Sequence, residues 1–92
     1  MLRNALVIGC GSIGQRHIKN LKALGVTNIL AFDPREDRRR EAERLQAEPV
    51  ERLEAAWAQR PEAAFITAPT SLHVPLALEA AEHGCHLFIE KP

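Results

Sequence analysis

The sequence has no excess of charge of either sign. Its 92 residues include 12 lysines and arginines and 12 aspartates and glutamates, so the formal net charge is zero. Proteins that bind nucleic acid or anionic membranes electrostatically carry a marked basic excess. The charge balance therefore gives no support for a nucleic-acid or membrane partner.

Cysteines and long apolar runs are also scarce. The only two cysteines, Cys10 and Cys85, lack metal-ligand spacing, which predicts no metal site and a reduced, cytoplasmic setting. The first apolar run, residues 5–8, is much shorter than the apolar core of a signal peptide or a membrane span. We therefore expect one small globular domain over residues 1–92.

Short apolar runs recur along the chain, with helical patterns between them. They are continuous rather than alternating, as is typical of strands buried on both faces of a parallel sheet, and they cover residues 5–8, 29–32, 63–66 and 87–89. Pro49 and Val50 indicate one further short strand. This alternation predicts a Rossmann-type, doubly wound α/β domain with right-handed βαβ units and the sheet order 3-2-1-4-5.

The helical segments have predicted inner faces. In chain order these are formed by Ile13, His17, Ile18, Leu21 and Leu24; by Ala42 and Leu45 in a polar helix over 35–47; by Leu53, Ala56 and Trp57; and by Val74, Ala77, Leu78 and Ala81. His17 and Trp57 are therefore interpreted as packing residues, and Cys10 as a small buried side chain.

A glycine motif, Gly9-Cys10-Gly11-Ser12-Ile13-Gly14, lies between the first strand and the first helix. Gly9 permits a sharp turn, Gly11 leaves room for a pyrophosphate, and Gly14 lets the helix pack closely on the strand. The free N–H groups and positive dipole end of that helix favour a phosphate. The motif is informative in this strand–helix context when an acid follows about 20 residues later.

Asp33 stands at that distance, at the end of the second strand. Its carboxylate suits the adenosine ribose diol and repels a 2′-phosphate, which favours NAD over NADP; the alternative is a helix cap ahead of Pro34. Arg35 and Arg38 to Arg40 complicate this preference, because an arginine near the ribose can neutralise a 2′-phosphate. The acids interleaved with Arg38 to Arg40 favour a solvated, salt-bridged surface instead.

Two other ligand classes share parts of this pattern. Flavin enzymes also have such a glycine turn followed by an acid, although in much longer chains. Methyltransferases bind the nucleoside of S-adenosylmethionine at a similar turn, with a different glycine spacing. The turn and the acid alone leave these alternatives open.

The last third of the chain helps to distinguish between these ligand classes. Ile66-Thr67-Ala68-Pro69-Thr70-Ser71-Leu72-His73 follows one apolar run, and Glu90-Lys91-Pro92 follows the last. With the glycine turn, His17 and Asp33, these segments resemble the N-terminal dinucleotide-binding domain of the Gfo/Idh/MocA oxidoreductases over essentially the whole chain. The resemblance implies an enzyme that uses a nicotinamide cofactor to oxidise or reduce hydroxyl and carbonyl groups of sugars and polyols.

The same resemblance implies cofactor contacts from four parts of the chain. They are the turn with Gly9, Gly11, Ser12, Ile13 and Gly14, the adenosine-ribose end with Asp33 and Arg35, the central loop with Ala68, Pro69, Thr70 and His73, and the nicotinamide end with Glu90 and Lys91. Many members have threonine where Ala68 stands, so one side-chain hydrogen bond is missing there. His73 is interpreted as a helix N-terminal residue that shapes the loop.

Lys91 is the catalytic residue that the resemblance implies, because a cation near the substrate oxygen stabilises a developing alkoxide. Family members continue into a second, α+β domain, so we expect the 92 residues to be a fragment with little turnover of its own. An uncovered apolar sheet edge predicts self-association into a homo-oligomer. The alternative function is a non-catalytic nucleotide-binding sensor or scaffold, which has no need of Lys91.

Overall fold

A computed structural model describes residues 2–90 of the protein. The elements are β1 (Asn4–Ile8), α1 (Ser12–Ala23), β2 (Asn28–Phe32), α2 (Glu36–Arg44), β3 (Glu48–Val50), α3 (Leu53–Ala58), β4 (Ala63–Ile66), a short 3-10 turn (Thr70–Leu72), α4 (His73–Glu82) and β5 (His86–Ile89). All strand pairs are parallel and the sheet order is β3-β2-β1-β4-β5. The predicted Rossmann-type fold and strand order are therefore confirmed, including the short third strand.

Two apolar clusters hold the helices to opposite faces of the sheet. Ala5 and Val7 of β1 face the cluster that includes Ile18 and Leu21 of α1 and Ala42 of α2. Leu6 and Ile8, the alternate residues of β1, face the second cluster. This cluster also contains Ala56 and Trp57 of α3 and Ala80 of α4. Because β1 is buried on both faces, its sequence is continuously apolar, as predicted.

The predicted inner face of α4 is correct for Ala77 and wrong for its other three residues. Val74 and Leu78 are 70% and 63% exposed, and Ala81 is also exposed. Ala80, which was not predicted, is fully buried, and Leu76 packs beside the predicted Ala77 against the same cluster. The helix carries apolar residues around most of its circumference, so periodicity does not determine its rotation. The small Ala80 side chain allows close approach to the sheet and selects that face.

The predicted face of α1 and the length of α2 also need correction. Ile13 and Leu24, at the two ends of the α1 stripe, are 40% and 73% exposed, while the centre of the stripe is buried as expected. The polar helix ends at Arg44, earlier than predicted, and Leu45 forms its C-cap. Ala42 is fully buried, and Leu45 packs against the same cluster, so the two predicted inward positions are confirmed.

Apolar surface is concentrated along β5. Leu87, Phe88 and Ile89 are 37%, 52% and 47% exposed, contrary to the prediction that this run is buried on both faces. The strand pairs with β4 on one side, and within residues 2–90 nothing pairs with its other side. None of the helices in this range is long and apolar enough to cross a bilayer.

Candidate functional site

The glycine turn packs against the end of β4. Gly9 has a positive φ of +99°, and a Cβ at this position would lie 2.7 Å from the backbone nitrogen of Ala68. A Cβ at Gly14 would lie 1.9 Å from the carbonyl oxygen of Gly9. Both positions therefore require glycine, the first for conformation and close approach and the second for contact between α1 and the turn. Gly11 is open, because a Cβ there would meet only the Arg38 side chain, at 3.7 Å.

Thr67, which the sequence reasoning did not single out, holds this turn. Its hydroxyl oxygen lies 2.5 Å from the carbonyl oxygen of Gly9 and 3.1 Å from that of Ile8. The backbone N–H of Gly9 donates to the carbonyl of Phe32 at 2.8 Å. The turn is thus fastened to β2 on one side and to the end of β4 on the other. The predicted strand order already places the end of β4, and therefore Thr67, beside the turn. Thr67 could thus have been identified from the sequence.

The N-terminus of α1 opens toward the same region. Gly11 is its N-cap and supplies no side-chain cap, and the first turn of the helix contains no acidic residue. The first N–H groups of an α-helix, here those of Ser12, Ile13 and Gly14, lack intrahelical acceptors. They are therefore available to an anion, which the dipole of this 12-residue helix also favours.

Asp33 connects the glycine turn to the start of α2. Its Oδ2 accepts the backbone N–H of Cys10 at 2.9 Å, and its Oδ1 accepts that of Arg35 at 2.8 Å. The residue is only 3% exposed. A carboxylate offers about four acceptor positions, so these two bonds leave capacity for a ligand diol. The N-cap of α2 is Arg35, and the helix has no side-chain cap, so the alternative prediction that Asp33 caps this helix is wrong. Asp33 instead accepts the N–H of the cap residue itself.

The arginines of α2 differ in orientation. Nη1 of Arg38 lies 3.8 Å from Oδ2 of Asp33, and Nη1 of Arg39 donates to the carbonyl of Asp33 at 2.8 Å. Only Arg40 forms the exposed ion pairs that were predicted for all three, with carboxylates of Glu36 and Glu43. The prediction is wrong for Arg38, which lines the cleft, and for Arg39, whose guanidinium bonds to a backbone carbonyl at the end of β2.

Arg35 lies at the rim of the cleft and pairs with Asp37. Its Nε and Nη2 donate to the two carboxylate oxygens of Asp37 at 3.1 Å and 2.7 Å. This hydrogen bonding raises the pKa of Arg35 and lowers the pKa of Asp37. The guanidinium remains exposed on the side of the cleft where Asp33 lies.

The loop after β4 forms the opposite wall. Nε2 of His73 lies 2.8 Å from the carbonyl oxygen of Ala68, and the N–H of Leu72 donates to the carbonyl of Pro69 at 2.9 Å. His73 is the first residue of α4 and ties the helix to the loop, in agreement with its predicted loop-shaping role. The Ala68 backbone, rather than its side chain, makes the close contact with Gly9.

The walls enclose one cleft along the carboxyl edge of the sheet. A region of about 360 Å³ is lined by Gly9, Gly11, Asp33 and Arg35 among others. A second region, of about 240 Å³, is lined by residues that include Ile13, Thr70, His73 and Glu90. The two regions share Arg38, Thr67, Ala68 and Pro69 in their walls. The structure therefore brings together predicted site residues from four separate segments.

The far end of the cleft is marked by Glu90. Its backbone N–H donates to the carbonyl of Ile66 at 3.0 Å, which holds it beside the end of β4. Its Oε2 lies 2.9 Å from Nε2 of His17 on α1. The His17 ring packs against Phe65, as a packing residue should, but the hydrogen bond to Glu90 was not predicted. Lys91, the predicted catalytic residue, lies outside the described residues.

Two further packing predictions are confirmed. Cys10 is fully buried, and burial, followed by the nearby charge of Asp33, raises the pKa of its thiol to about 12. Trp57 is 7% exposed, and its Nε1 donates to Oε2 of Glu79 at 2.5 Å. Neither side chain is among those that line the cleft within residues 2–90.

The parallel sheet and the glycine turn at its carboxyl edge place the chain in the class of Rossmann dinucleotide-binding domains. More particularly, it belongs to the GFO_IDH_MocA oxidoreductase family, whose NAD-binding Rossmann-fold model matches residues 3–92. The predicted family resemblance is confirmed. No curated protein sequence matches the chain.

Several solved structures resemble the whole chain. UDP-N-acetylglucosamine 3-dehydrogenase GnnA from Acidithiobacillus ferrooxidans is 29% identical, with a TM-score of 0.82, over 100% of this chain and 30% of that one. The WlbA dehydrogenase from Bordetella pertussis, in complex with NADH and UDP-GlcNAcA, is 28% identical with a TM-score of 0.87, at the same coverage of 100% and 30%. A variant of the 3-ketoreductase KijD10 from Actinomadura kijaniata, in complex with TDP-benzene and NADP, is 31% identical with a TM-score of 0.84, over 100% of this chain and 31% of that one. The chain thus spans about 30% of the length of these proteins.

Proposed function

We propose that this chain is the cofactor-binding part of a dehydrogenase that prefers NAD and acts on a hydroxyl or carbonyl group of a sugar nucleotide or polyol. The observation that carries the proposal is the continuous cleft, which runs from Asp33 past Gly11 to Glu90. Its two ends and its centre offer different chemistry. The carboxylates of Asp33 and Glu90 are acceptors at the two ends. Between them lie the free N–H groups at the start of α1 and the Arg38 guanidinium.

That order of groups matches the order of groups in a nicotinamide dinucleotide. The N–H groups at the start of α1 would bind the pyrophosphate, for which the open side of Gly11 leaves space. Asp33 would accept hydrogen bonds from the adenosine ribose, and Glu90 from the ribose beside the nicotinamide. The bound nicotinamide supplies the hydride acceptor or donor. Lys91 would stabilise the developing negative charge on the substrate oxygen.

The relatives support a sugar-nucleotide substrate. GnnA is a UDP-N-acetylglucosamine 3-dehydrogenase, and WlbA is in complex with UDP-GlcNAcA. KijD10 is a 3-ketoreductase in complex with TDP-benzene. All three names or ligands are consistent with oxidation or reduction on a nucleotide-linked sugar. We propose that the present protein acts on the same class of substrate, a nucleotide-linked sugar.

Binding measurements on an Asp33 variant test the cofactor assignment. The carboxylate also accepts two backbone N–H groups, so Asp33→Asn is preferable to Asp33→Ala because it retains one acceptor oxygen. We expect calorimetry to show that the ratio of NAD to NADP affinity falls by on the order of tenfold or more, since hydrogen bonds to a charged acceptor contribute about 1.5–3 kcal/mol each. Glu43→Gln, on the exposed face of α2, is the matched control.

If Asp33→Asn leaves the ratio of NAD to NADP affinity unchanged, Asp33 has a purely structural role. FAD and S-adenosylmethionine, the ligands of the two rival classes, serve as further probes of the turn. Tight binding of either in place of NAD would contradict the proposal.

We also propose that the exposed β5 edge supports self-association. Phe88, at the middle of this strand, is 52% exposed and stacks on Phe65 with ring centroids 4.7 Å apart. Exposed apolar edge strands pair readily with other strands. Sedimentation at high concentration should show a mass above that of the monomer, and Phe88→Lys should reduce it. A monomeric mass for the unaltered protein would count against this arrangement.

A further inference from the structure

Helix α1 contacts both the centre and the far end of the cleft. Its N-terminus faces the open side of Gly11, and Gly14 seats its first turn against the carbonyl of Gly9. One turn further along, His17 extends to Glu90, which is 73 positions away in the sequence. The helix therefore joins the proposed pyrophosphate site to the side chain that lines the opposite end of the cleft.

The His17 ring is held by an aromatic stack. Its centroid lies 5.4 Å from that of Phe65, with an angle of 39° between the ring planes. Phe65 stacks in turn on Phe88, its neighbour across the β4–β5 pair, with centroids 4.7 Å apart and planes inclined at 11°. The His17 side chain is only 27% exposed. Packing therefore sets the direction in which Nε2 points.

The hydrogen bond from His17 constrains the Glu90 side chain, which would otherwise be free to move. The Glu90 side chain is 41% exposed, and a glutamate in this environment loses rotamer freedom only if something holds it. An ionised carboxylate can only accept, so Nε2 of His17 is the donor, whether the ring is the neutral Nε2–H tautomer or the imidazolium. Oε2 is thereby tied to α1, and the second oxygen, Oε1, can accept a hydrogen bond from a ligand.

We propose that His17 is a positioning residue for the cofactor. It holds the Glu90 carboxylate in the orientation that accepts hydrogen bonds from the ribose next to the nicotinamide. This inference rests on the proposed function, because it assumes that Glu90 contacts that ribose. His17 itself does not line the cleft within the described residues, so it acts through Glu90.

Dinucleotide fragments separate this role from a general effect on the site. ADP carries the adenosine ribose and the pyrophosphate, whereas ADP-ribose also carries the second ribose. We expect His17→Leu to weaken binding of ADP-ribose and NAD by on the order of five- to tenfold and to change ADP affinity by less than about twofold. The expected loss is smaller than that of a whole charge-assisted hydrogen bond, because His17 orients the acceptor and does not itself contact the ligand. Isothermal titration calorimetry of the protein measures the affinity for all three ligands.

Two amide variants test whether reach and hydrogen bonding cause the effect. His17→Gln retains an N–H donor on a side chain long enough to approach Glu90, and it should restore most of the ADP-ribose affinity. His17→Asn has the same chemistry but is shorter, and it should resemble His17→Leu. His86→Leu, at the opposite end of β5 from Glu90, is the matched histidine control. Thermal unfolding of each variant identifies any loss of fold, and the Gln–Asn comparison remains valid if the leucine variant is unstable.

A double-mutant cycle with Glu90→Ala tests the route of action. If His17 acts through Glu90, then His17→Leu adds no further loss of ADP-ribose affinity in the Glu90→Ala background. Additive losses would overturn the inference, as would an equal loss of ADP affinity or unchanged ADP-ribose binding in His17→Leu. If the unaltered protein binds neither ADP, ADP-ribose nor NAD, the proposed function fails. ADP-ribose binding that is insensitive to His17 overturns the positioning role alone.

Discussion

The Arg38 guanidinium lies 3.8 Å from the carboxylate of Asp33, beside the open face of Gly11. The two side chains differ sharply in exposure, at 42% for Arg38 and 4% for Asp33. Both side chains line the same region of the cleft, so a ligand bound at Asp33 also lies near the Arg38 guanidinium. The pair places a buried acceptor next to an exposed cation, at the boundary between the Asp33 end of the cleft and its centre. In the proposed binding mode, the 2′ position at which NAD and NADP differ lies beside this pair.

Substitution of Arg38 should change cofactor selectivity. We expect Arg38→Ala to lower NADP affinity by about tenfold or more and NAD affinity by less, because the 2′-phosphate gains more from a nearby guanidinium than a hydroxyl does. Calorimetric titration with both cofactors measures the ratio. Arg40→Ala, which removes only exposed ion pairs with Glu36 and Glu43, should leave the ratio unchanged. Equal losses for the two cofactors would show that Arg38 contacts the shared pyrophosphate instead.

Gly14 and Gly11 should respond differently to the same substitution. A Cβ at Gly14 would lie 1.9 Å from the Gly9 carbonyl oxygen, so Gly14→Ala should reduce the free energy of unfolding by about 3 kcal/mol or more. Gly11→Ala has room for its methyl group and should retain the fold while it weakens NAD binding. Urea denaturation and calorimetry of both variants test this. A stable Gly14→Ala variant would mean that α1 can move away from the turn.

Glu62 should make stability dependent on acid pH. Its Oε1 accepts the backbone N–H groups of Arg3 and Asn4 at 2.7 Å and 3.0 Å, and these hydrogen bonds lower its pKa from the ordinary value of 4.5. A carboxyl group with a lowered pKa in the folded state stabilises the fold above its unfolded pKa, and this contribution is lost as the pH falls through the folded value. Thermal melts below pH 4.5 should therefore show a smaller decline for Glu62→Gln than for the unaltered protein. The exposed Glu82→Gln change is the control, and identical pH profiles for both variants would refute the link.

Lys91 distinguishes an enzyme from a nucleotide sensor. In a dehydrogenase that contains this domain, Lys91→Ala should reduce turnover by about 100-fold or more, since removal of one group that stabilises an oxyanion costs about this much. NAD affinity should change far less. Steady-state kinetics with a nucleotide-linked sugar and binding assays give the two quantities. Unchanged turnover would favour the non-catalytic alternative.

Local patterns in the sequence were sufficient for the fold and for much of the candidate site. Continuous apolar runs mark strands buried on both faces, and the strand–glycine–helix order then determines the sheet topology. Gly9 and Gly14 could be interpreted from sequence because backbone conformation and close approach exclude other residues there. Asp33 could be found because a strand end is a defined position in this fold.

Contacts between distant side chains were decided only by the tertiary structure. Periodicity shows where apolar residues recur along a helix, but it does not fix the rotation of a helix that has two apolar faces. In α4 the structure turns Ala80 inward and exposes Leu78. The same limit applied to α2, where charge interleaving could not show that Arg38 faces the cleft. The pairing of His17 with Glu90 depends on how α1 and β5 lie relative to each other. That placement results from packing across the whole sheet, and no local stretch of sequence contains it.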